Sequence, residues 1–125
     1  MSDPNIRRRN RANKRKGTAW ETSIRNYLTE LGLDAERVAK KGSSDIGDVV
    51  VRLEDGHHML VEAKDTSRPQ LAEWLREAEV EAENYARHRR VNVEYVHPVV
   101  IYKRRLHGVD KAYVVMELGR WVQTL

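Results

Sequence analysis

Apolar residues in two long segments recur every three or four positions, which is the spacing of one face of an α-helix. The first segment begins at the capping-box sequence Thr18 to Glu21 and ends at Gly32. The second begins at another capping-box sequence, Ser67 to Gln70, and runs to about Arg89. Its predicted apolar face consists of Leu71, Leu75, Ala78, Ala82, Tyr85 and Ala86, and its predicted solvated face carries Glu73, Glu77, Glu79, Glu81 and Glu83.

Shorter apolar runs between and after these helices predict β-strands. We expect a short strand at 35–40, a hairpin at 47–64, a buried strand at Val99–Tyr102 and another strand at Ala112–Met116. A short helix from about Arg120 closes the chain. The order is α-β-β-β-α-β-β without repeats or an internal linker, which predicts an α/β domain with a mixed sheet and helices on its faces.

The predicted hairpin has matching apolar faces on its two strands, and these faces determine its register. Pairing the faces centres the turn on Gly56 and gives a three-residue loop, residues 55–57. A two-residue turn at Asp55-Gly56 is the alternative, and it sends Asp48 to the opposite face from Glu62. The predicted pairs are Val49 with Ala63, Val51 with Val61, and Leu53 with Met59.

This register brings Asp48, Glu62 and Lys64 onto one face. Side chains alternate along a strand, so Glu62 and Lys64 point the same way, while Asp48 lies opposite Lys64 and Val50 lies opposite Glu62. Two carboxylates are hard oxygen ligands suited to Mg²⁺ or Mn²⁺, and a lysine beside the metal can hold a phosphate or a hydroxide. The set is what phosphodiester hydrolysis needs. The alternative interpretation is a surface Glu-Lys pair at a strand end.

Length and composition narrow the class of protein. A chain of 125 residues forms one domain with a real core. It has no run of 18 apolar residues and no signal-peptide pattern, so we expect a soluble, cytoplasmic protein. The absence of cysteine excludes a disulfide framework and a thiolate zinc site.

Positive charge is concentrated at the N-terminus. Residues 1–16 carry a net charge of +6, which leaves −2 for the rest of the chain, since the whole carries +4. A segment with so few apolar residues is expected to be a flexible arm, and dense basic charge binds the phosphates of nucleic acid. A solubility tail is the alternative. The basic residues of the arm are Arg7, Arg8, Arg9, Arg11, Lys14, Arg15 and Lys16.

The element order, with an acidic residue opening the second strand and Glu-x-Lys closing the third, resembles the PD-(D/E)XK nuclease superfamily. Within it, the size of the chain and the stretch 37–48 look like the small Holliday junction resolvases of archaea and bacteriophages. The resemblance covers residues 17–125 and implies a restriction-endonuclease-like core. One departure is that Gly47 stands in place of the proline in the motif's name.

The resemblance implies roles for individual residues. Asp48 and Glu62 become ligands of Mg²⁺ or Mn²⁺ together with the Ala63 carbonyl, and Lys64 becomes the catalytic lysine. Glu21 matches an extra metal-site glutamate, although it is also the acceptor of the predicted capping box. Asp45 is a second, less favoured acid. The loop residues Lys41, Ser43 and Ser44 match a segment that approaches DNA in the family.

The chain after the fourth strand and the histidines contain further charged or titratable residues. Lys103, Arg104 and Arg105 leave the fourth strand at the end of the sheet, where they either meet phosphates or form a simple exposed turn. The histidines show no ligand spacing with a third partner, so we interpret all five as structural or exposed. They are His57, His58, His88, His97 and His107.

Three functions remain open at this point. The first is a structure-selective endonuclease, a Holliday junction resolvase; the others are another nuclease of the same chemistry (a nickase, a restriction-type enzyme or an exonuclease) and a non-catalytic nucleic-acid binder. Two symmetric cuts across a four-way junction require a homodimer, since one chain supplies one site. The candidate interface consists of Tyr113, Val115, Trp121, Val122 and Leu125; the alternative is that some of these residues belong to the core.

Overall fold

A five-stranded mixed sheet with helices packed against it organises the chain in the computed structural model, which describes residues 4–38 and 47–125. The predicted order α-β-β-β-α-β-β is confirmed, and a terminal helix follows it. Two short 3₁₀ turns, Val93–Tyr95 and Val109–Lys111, precede the last two strands. The elements are α1 Pro4–Glu30, β1 Asp34–Arg37, β2 Val49–Arg52, β3 His58–Lys64, α2 Leu71–Arg89, β4 Val96–Tyr102, β5 Tyr113–Val115 and α3 Leu118–Gln123.

The strands lie in the sheet in chain order, from β1 at one edge to β5 at the other. Neighbouring strands are antiparallel except for β3 and β4, which are parallel and are joined by the crossover helix α2. The central strands are almost wholly apolar because helices cover the sheet; Val49, Val50, Val96 and Val100 have no exposed surface. The carboxyl ends of β3 and β4 therefore lie side by side at one end of a rigid sheet.

The predicted register of the β2–β3 hairpin was wrong by two residues. Val49 pairs with Val61, not with Ala63, and the loop is Glu54-Asp55-Gly56. The Gly56 amide donates to the Leu53 carbonyl at 3.1 Å, and Gly56 has a φ of +90°, so the loop is a tight turn that ends in a left-handed glycine. A shift of two leaves every side chain on its predicted face, but Asp48 now precedes the strand directly opposite Glu62 instead of Lys64.

Helix α1 begins much earlier than the predicted capping box. Thr18 and Glu21 lie inside a continuous helix of 27 residues, so neither residue caps its start. Arginine, lysine and alanine favour helix, and the single Gly17 costs only about 1 kcal/mol, which does not interrupt it. Residues 4–16, predicted as a flexible arm, are thus helical; the described side chains between Asn5 and Lys16 are exposed. The division into an arm and a nuclease domain stays a prediction.

Helix α2 begins at Leu71, three residues after the predicted start, and its cap, Gln70, makes no side-chain capping hydrogen bond. The second capping-box prediction was therefore wrong. The buried face of α2 is rotated about the helix axis by one position relative to the predicted face, because Leu71 is exposed and Trp74 is buried. Glu81 is buried as well, although it was assigned to the solvated face. The buried residues are Trp74, Ala78, Glu81, Ala82, Tyr85 and Ala86.

Within the described residues, no helix combines the length and the apolar character needed to cross a membrane. The predicted strand at 35–40 ends at Arg37, and residues 39–40 lie outside the described part of the chain. The strand predicted at Ala112–Met116 is confirmed as the shorter β5.

Candidate active site

Asp48 lies at the end of the sheet, between Gly47 and the first residue of β2. Gly47 has a φ of +93°, and a Cβ atom at this position would lie 2.9 Å from the Leu60 side chain. Proline, whose φ is fixed near −65°, does not fit this backbone, which explains why glycine stands in place of the motif's proline. The Asp48 amide donates to the Val61 carbonyl at 3.0 Å, so the aspartate is joined to β3 before β2 begins.

The Asp48 carboxylate lies against the backbone of β3. Its Oδ2 accepts a hydrogen bond of 2.8 Å from the Ala63 amide. The Lys64 carbonyl accepts from the Lys103 amide, so the backbone of Lys64 faces β4 and the backbone groups of Ala63 face the Asp48 side. The Ala63 carbonyl therefore points to the same side of β3 as the Asp48 carboxylate.

Asp48 and Glu62 form a carboxylate pair with little access to water. Burial, followed by the negative charge of Glu62, raises the pKa of Asp48, which lies at about 8; the hydrogen bond from the Ala63 amide lowers this pKa in part, and Glu21 raises it by a smaller amount. Glu62 is 8% exposed, and its Oε2 is buried without a hydrogen-bond partner. A buried carboxylate oxygen without a hydrogen bond, next to a second acidic group, is stabilised by a cation.

Glu21 reaches this pair from helix α1. Its side chain shares a hydrogen bond with Asp48, and its Oε2 lies 3.0 Å from Nη2 of Arg37 on β1. Its position in the middle of the helix excludes the capping role. Helix α1 is thus oriented with Trp20 buried in the core and Glu21 beside the sheet end.

Lys64 completes the group. Its Nζ lies 3.3 Å from Glu62 Oε1 and 3.1 Å from Glu77 Oε2, and it stands 5.7 Å from the centre of the Trp74 ring. Burial alone lowers the pKa of Lys64, but the charges of Glu62 and Glu77 and their hydrogen bonds outweigh burial and raise it above its ordinary value. The ammonium group is therefore held beside the carboxylate pair in its charged form.

The fit of a metal ion can be judged from this donor set. Among the described residues, no three histidine, aspartate or glutamate side chains already converge as a metal cage. One reason is that Glu21 is turned toward Arg37 and one Asp48 oxygen is occupied by the Ala63 amide. The raised pKa of Asp48 and the unpartnered Glu62 oxygen nevertheless identify an excess of negative charge, which a hard divalent cation would neutralise. The residues present fit such an ion.

Four of the predicted DNA-contacting residues lie around this end of the sheet. Lys103, Arg104 and Arg105 directly follow β4, as predicted, and Lys16 joins them by an ion pair of 3.5 Å with Asp65. Lys14 lies within α1. Arg7, Arg8, Arg9, Arg11 and Arg15 lie on the exposed half of the same helix. The loop residues Lys41, Ser43 and Ser44, and the second acid Asp45, fall outside the described residues.

Several residues of the site were missed in the sequence. Glu77 was assigned to the solvated face of α2, Asp65 belonged to no motif, and Arg37, the first residue of the stretch 37–48, was given no role of its own. A signal existed only for Trp74, because Trp74, Ala78, Ala82 and Tyr85 follow helical spacing as well as the predicted face does. Glu77 lies one helical turn after Trp74 and so accompanies it to the site.

The histidines were predicted to be structural or exposed, and His97 is fully buried. Its Nε2 lies 2.7 Å from Nδ1 of His57, and the two rings are stacked. His58 Nδ1 lies 3.0 Å from the Tyr85 hydroxyl. These contacts lie where β3 and β4 begin, at the opposite end of the sheet from Lys64.

Comparison with known proteins adds to this geometry. The family model of the archaeal Holliday junction resolvase (Hjc) matches residues 12–117. A 1.6 Å structure of Hjc, a Holliday junction resolvase from the archaeal hyperthermophile Archaeoglobus fulgidus, is similar with a TM-score of 0.48 and 18% identity, covering 85% of this chain and 93% of that chain. Among curated protein sequences there is no match. Because the family model spans most of its length, the chain belongs to the archaeal Holliday junction resolvase (Hjc) family, whose members are structure-selective DNA endonucleases.

Proposed function

We propose that this resolvase hydrolyses phosphodiester bonds of four-way DNA junctions with Mg²⁺ or Mn²⁺ at the site formed by Asp48, Glu62, Lys64 and Glu21. The observation that carries the proposal is the pair of water-poor carboxylates, Asp48 and Glu62, placed opposite each other with an ammonium group 3.3 Å from one of them. A protein that only binds DNA has no reason to bring two adjacent carboxylates to a surface that meets phosphates.

The residues act in different ways. Asp48, Glu62, Glu21 and the Ala63 carbonyl would hold the cation, which, when bound, activates water and stabilises the negative charge of the transition state. Lys64, held on the same face, orients the attacking water and donates a hydrogen bond to the phosphate oxygen on which charge develops. Its contacts with Glu77 and Trp74 limit the positions of the ammonium group before DNA arrives.

DNA would approach along the basic side of this sheet end. The supporting observation is that α1 and the segment after β4 bring positive side chains to the border of the site, with Arg104 5.8 Å from the Tyr113 ring and Lys103 5.7 Å from the Trp20 ring. We propose contacts with phosphates from the arm of residues 1–16 and from Lys41, Ser43, Ser44, Lys103, Arg104 and Arg105.

A homodimer would supply the second site that symmetric resolution requires. Exposed apolar side chains near the chain end support this proposal, since Trp121 is 49% and Leu125 is 82% exposed. Val115 is partly covered by the core, while Leu118, at 72% exposure, adds to the predicted surface. The edge strand β5 lies beside this surface and offers backbone groups to a second copy.

The division into a basic arm, residues 1–16, and a nuclease domain, residues 17–125, also belongs to this proposal. It is supported by burial, because Trp20 is the first buried side chain among those of α1 that the structure describes. A DNA-resolving enzyme of this kind would work in the cytoplasm of a bacterial or archaeal cell, encoded by the cell or by a bacteriophage.

The proposal is tested by incubating the full chain with an immobile four-way junction, a flap, a fork and linear duplex, each with Mg²⁺, Mn²⁺ or a chelator. We expect paired, symmetric incisions in the junction, little cutting of linear duplex and no cutting with chelator. Light scattering of the same sample should give the mass of a dimer. A monomer that cuts linear duplex and junction equally would contradict the resolvase function and favour a general nuclease.

A further inference from the structure

Asp65 is a mostly buried carboxylate that the proposed reaction does not use. It directly follows Lys64 at the end of β3, and its side chain is 12% exposed. Lys16 Nζ of α1 lies 3.5 Å from its Oδ1, and Lys103 Nζ, after β4, lies 3.8 Å from its Oδ2. Three segments far apart in the sequence thus meet at one acidic group, and two cations are held by one anion.

The partners of Asp65 are themselves fixed. The Lys103 amide donates to the Lys64 carbonyl at 2.9 Å, so Lys103 is attached to the strand that carries the site. Its ammonium group lies 5.7 Å from the centre of the Trp20 ring, and the Trp20 indole donates to the Ile101 carbonyl at 3.2 Å. Both lysines keep partial exposure, 48% for Lys16 and 39% for Lys103, so each retains donors that point to solvent.

A cleft joins this group to the candidate active site. It has a volume of about 500 Å³, and its walls include Lys16, Ala63, Lys64, Asp65 and Arg105. A smaller cleft of about 160 Å³ adjoins it, shares Lys16, Asp65 and Arg105, and also includes Lys103 and Arg104. Cations outnumber the single carboxylate along this path, and the loop beside it is fixed by a 2.8 Å hydrogen bond from the Tyr102 hydroxyl to the Thr66 carbonyl.

We propose that Asp65 is a positioning residue that holds Lys16 and Lys103 at the two sides of a binding site for a DNA backbone phosphate adjacent to the one that is cut. The inference rests on the proposed nuclease function. A phosphate monoanion is recognised by ammonium groups already in place, because donors that need not reorganise stabilise charge best. Without Asp65, two like charges repel each other and their long side chains occupy many rotamers.

The test compares Asp65→Asn with wild type on the four-way junction. Removing an anion from the phosphate path should leave affinity unchanged or tighten it, whereas loss of positioning should lower the single-turnover rate at saturating junction by about tenfold. Asp65→Glu, which keeps the charge, should recover most of the rate. A variant with a lower melting temperature but a normal rate at saturating DNA would show a purely structural role and overturn the proposal.

The lysines provide a second measurement. Lys16→Met and Lys103→Met should each reduce the slope of log affinity against log salt by about 0.9, as expected for one lost phosphate contact. Lys111→Met, an exposed lysine outside the clefts, is the matched control and should leave the slope unchanged. Lys103→Met should lower the cleavage rate less in the Asp65→Asn background than in the wild type, by under about twofold, because the effects of coupled residues are not additive. Equal effects of Lys103→Met in the two backgrounds would overturn the proposal.

These measurements separate the two proposals. If the wild-type chain cuts no junction, the nuclease function fails, while the salt slopes still decide whether the phosphate site exists. If Asp65→Asn does not fold by circular dichroism, the lysine variants decide alone, and unchanged slopes for both would overturn the inference.

Discussion

The ammonium group of Lys64 lies 3.1 Å from the carboxylate of Glu77, which is presented by a different element, the crossover helix α2. Glu62 also contacts Lys64, but Glu62 is the residue proposed to bind the cation. Glu77 is then the acidic partner that remains to fix the lysine once a cation engages Glu62. The parallel β3–β4 pair requires α2 as its connection, so the topology itself brings this second carboxylate to the site.

Replacing Glu77 should therefore affect rate more than binding. We expect Glu77→Gln to lower the single-turnover cleavage rate by about threefold, since a partly exposed ion pair contributes up to about 1 kcal/mol. Junction affinity should stay the same. Glu73→Gln, exposed in the first turn of the same helix, is the control. Equal rates for the two variants would show that Glu77 does not orient the lysine.

The carboxylate pair and the lysine should be indispensable for cleavage. Asp48→Asn, Glu62→Gln and Lys64→Ala are each expected to reduce the cleavage rate by at least about a hundredfold. Binding should persist, and it should tighten for the two carboxylate variants, because fewer negative charges face the phosphates. Glu54→Gln, in the exposed hairpin loop, serves as control in a gel-based cleavage and binding assay. Near-normal cleavage by Glu62→Gln would contradict the assignment of the site.

The raised pKa of Asp48 predicts a pH dependence of stability. Between its ordinary value of 3.8 and about 8, the folded protein binds more protons than the unfolded chain, so the free energy of unfolding contributed by this group falls as pH rises. Cation binding requires the ionised form, so the increase in melting temperature caused by Mn²⁺ should be larger at pH 8 than at pH 5.5. Thermal denaturation measures both effects.

Two substitutions make this test specific. Asp48→Asn should stabilise the cation-free protein at pH 8 and abolish most of the Mn²⁺ effect. Asp110→Asn, at an exposed position, should do neither. An Mn²⁺ effect that is independent of pH in the wild type would exclude Asp48 as the titrating ligand.

The lowered pKa of His97 predicts the opposite trend, a loss of stability as pH falls. Burial lowers the pKa of His97 below its ordinary value of 6.5, and the positive charges of His57 and Arg120 lower it further, against a smaller opposing effect of Asp55. The unfolded chain then binds the proton more readily, so stability is lost as pH falls below about 6.5. Urea denaturation at pH 7.5 and 5.5 should give a smaller difference for His97→Gln than for wild type. His88→Gln, exposed on α2, should match wild type.

The helical form of residues 4–16 changes what is expected of its arginines. A flexible arm can bring every charge to DNA, whereas consecutive residues of a helix point in different directions. Replacing Arg7, Arg8, Arg9 and Arg11 by glutamine should therefore reduce the salt slope by about 2 units, roughly half of what four phosphate contacts give at 0.9 each. A reduction near 4 units would indicate that the helix unwinds on DNA. Fluorescence anisotropy at several salt concentrations distinguishes the two outcomes.

The sequence was sufficient to predict the order of elements because the hydrophobic periods differ clearly between helix and sheet. It also placed Asp48 and Glu62 on one face, since an even shift of register preserves faces. The register itself was missed because two three-residue loops, 54–56 and 55–57, satisfy the same hydrophobic pattern. The choice between these loops depends on Gly56 adopting a left-handed conformation. Only the backbone distinguishes the two loops.

Residues that reach the site through tertiary packing were beyond prediction. Glu77 and Asp65 belong to no local pattern, and their roles follow from the rotation of α2 by one position and from the meeting of α1, β3 and β4. The start of α1 was missed for a different reason. A capping sequence allows a helix to begin but does not require it to begin there. When the residues on its N-terminal side favour helix, the helix continues through the capping sequence. His57 and His97, 40 residues apart, likewise meet only because the parallel strands β3 and β4 begin at the same sheet end.

The length of helix α1 determines how far its basic half reaches from the candidate active site. A continuous helix of 27 residues is about 40 Å long at 1.5 Å per residue, and its anchored part begins near Lys16 and Trp20. The basic half, residues 4–16, is therefore about 20 Å long and is attached at its base beside the candidate active site. If the basic half meets DNA as proposed, only DNA that passes within this distance of the candidate active site contacts its arginines, so reach as well as charge would select the shape of the substrate.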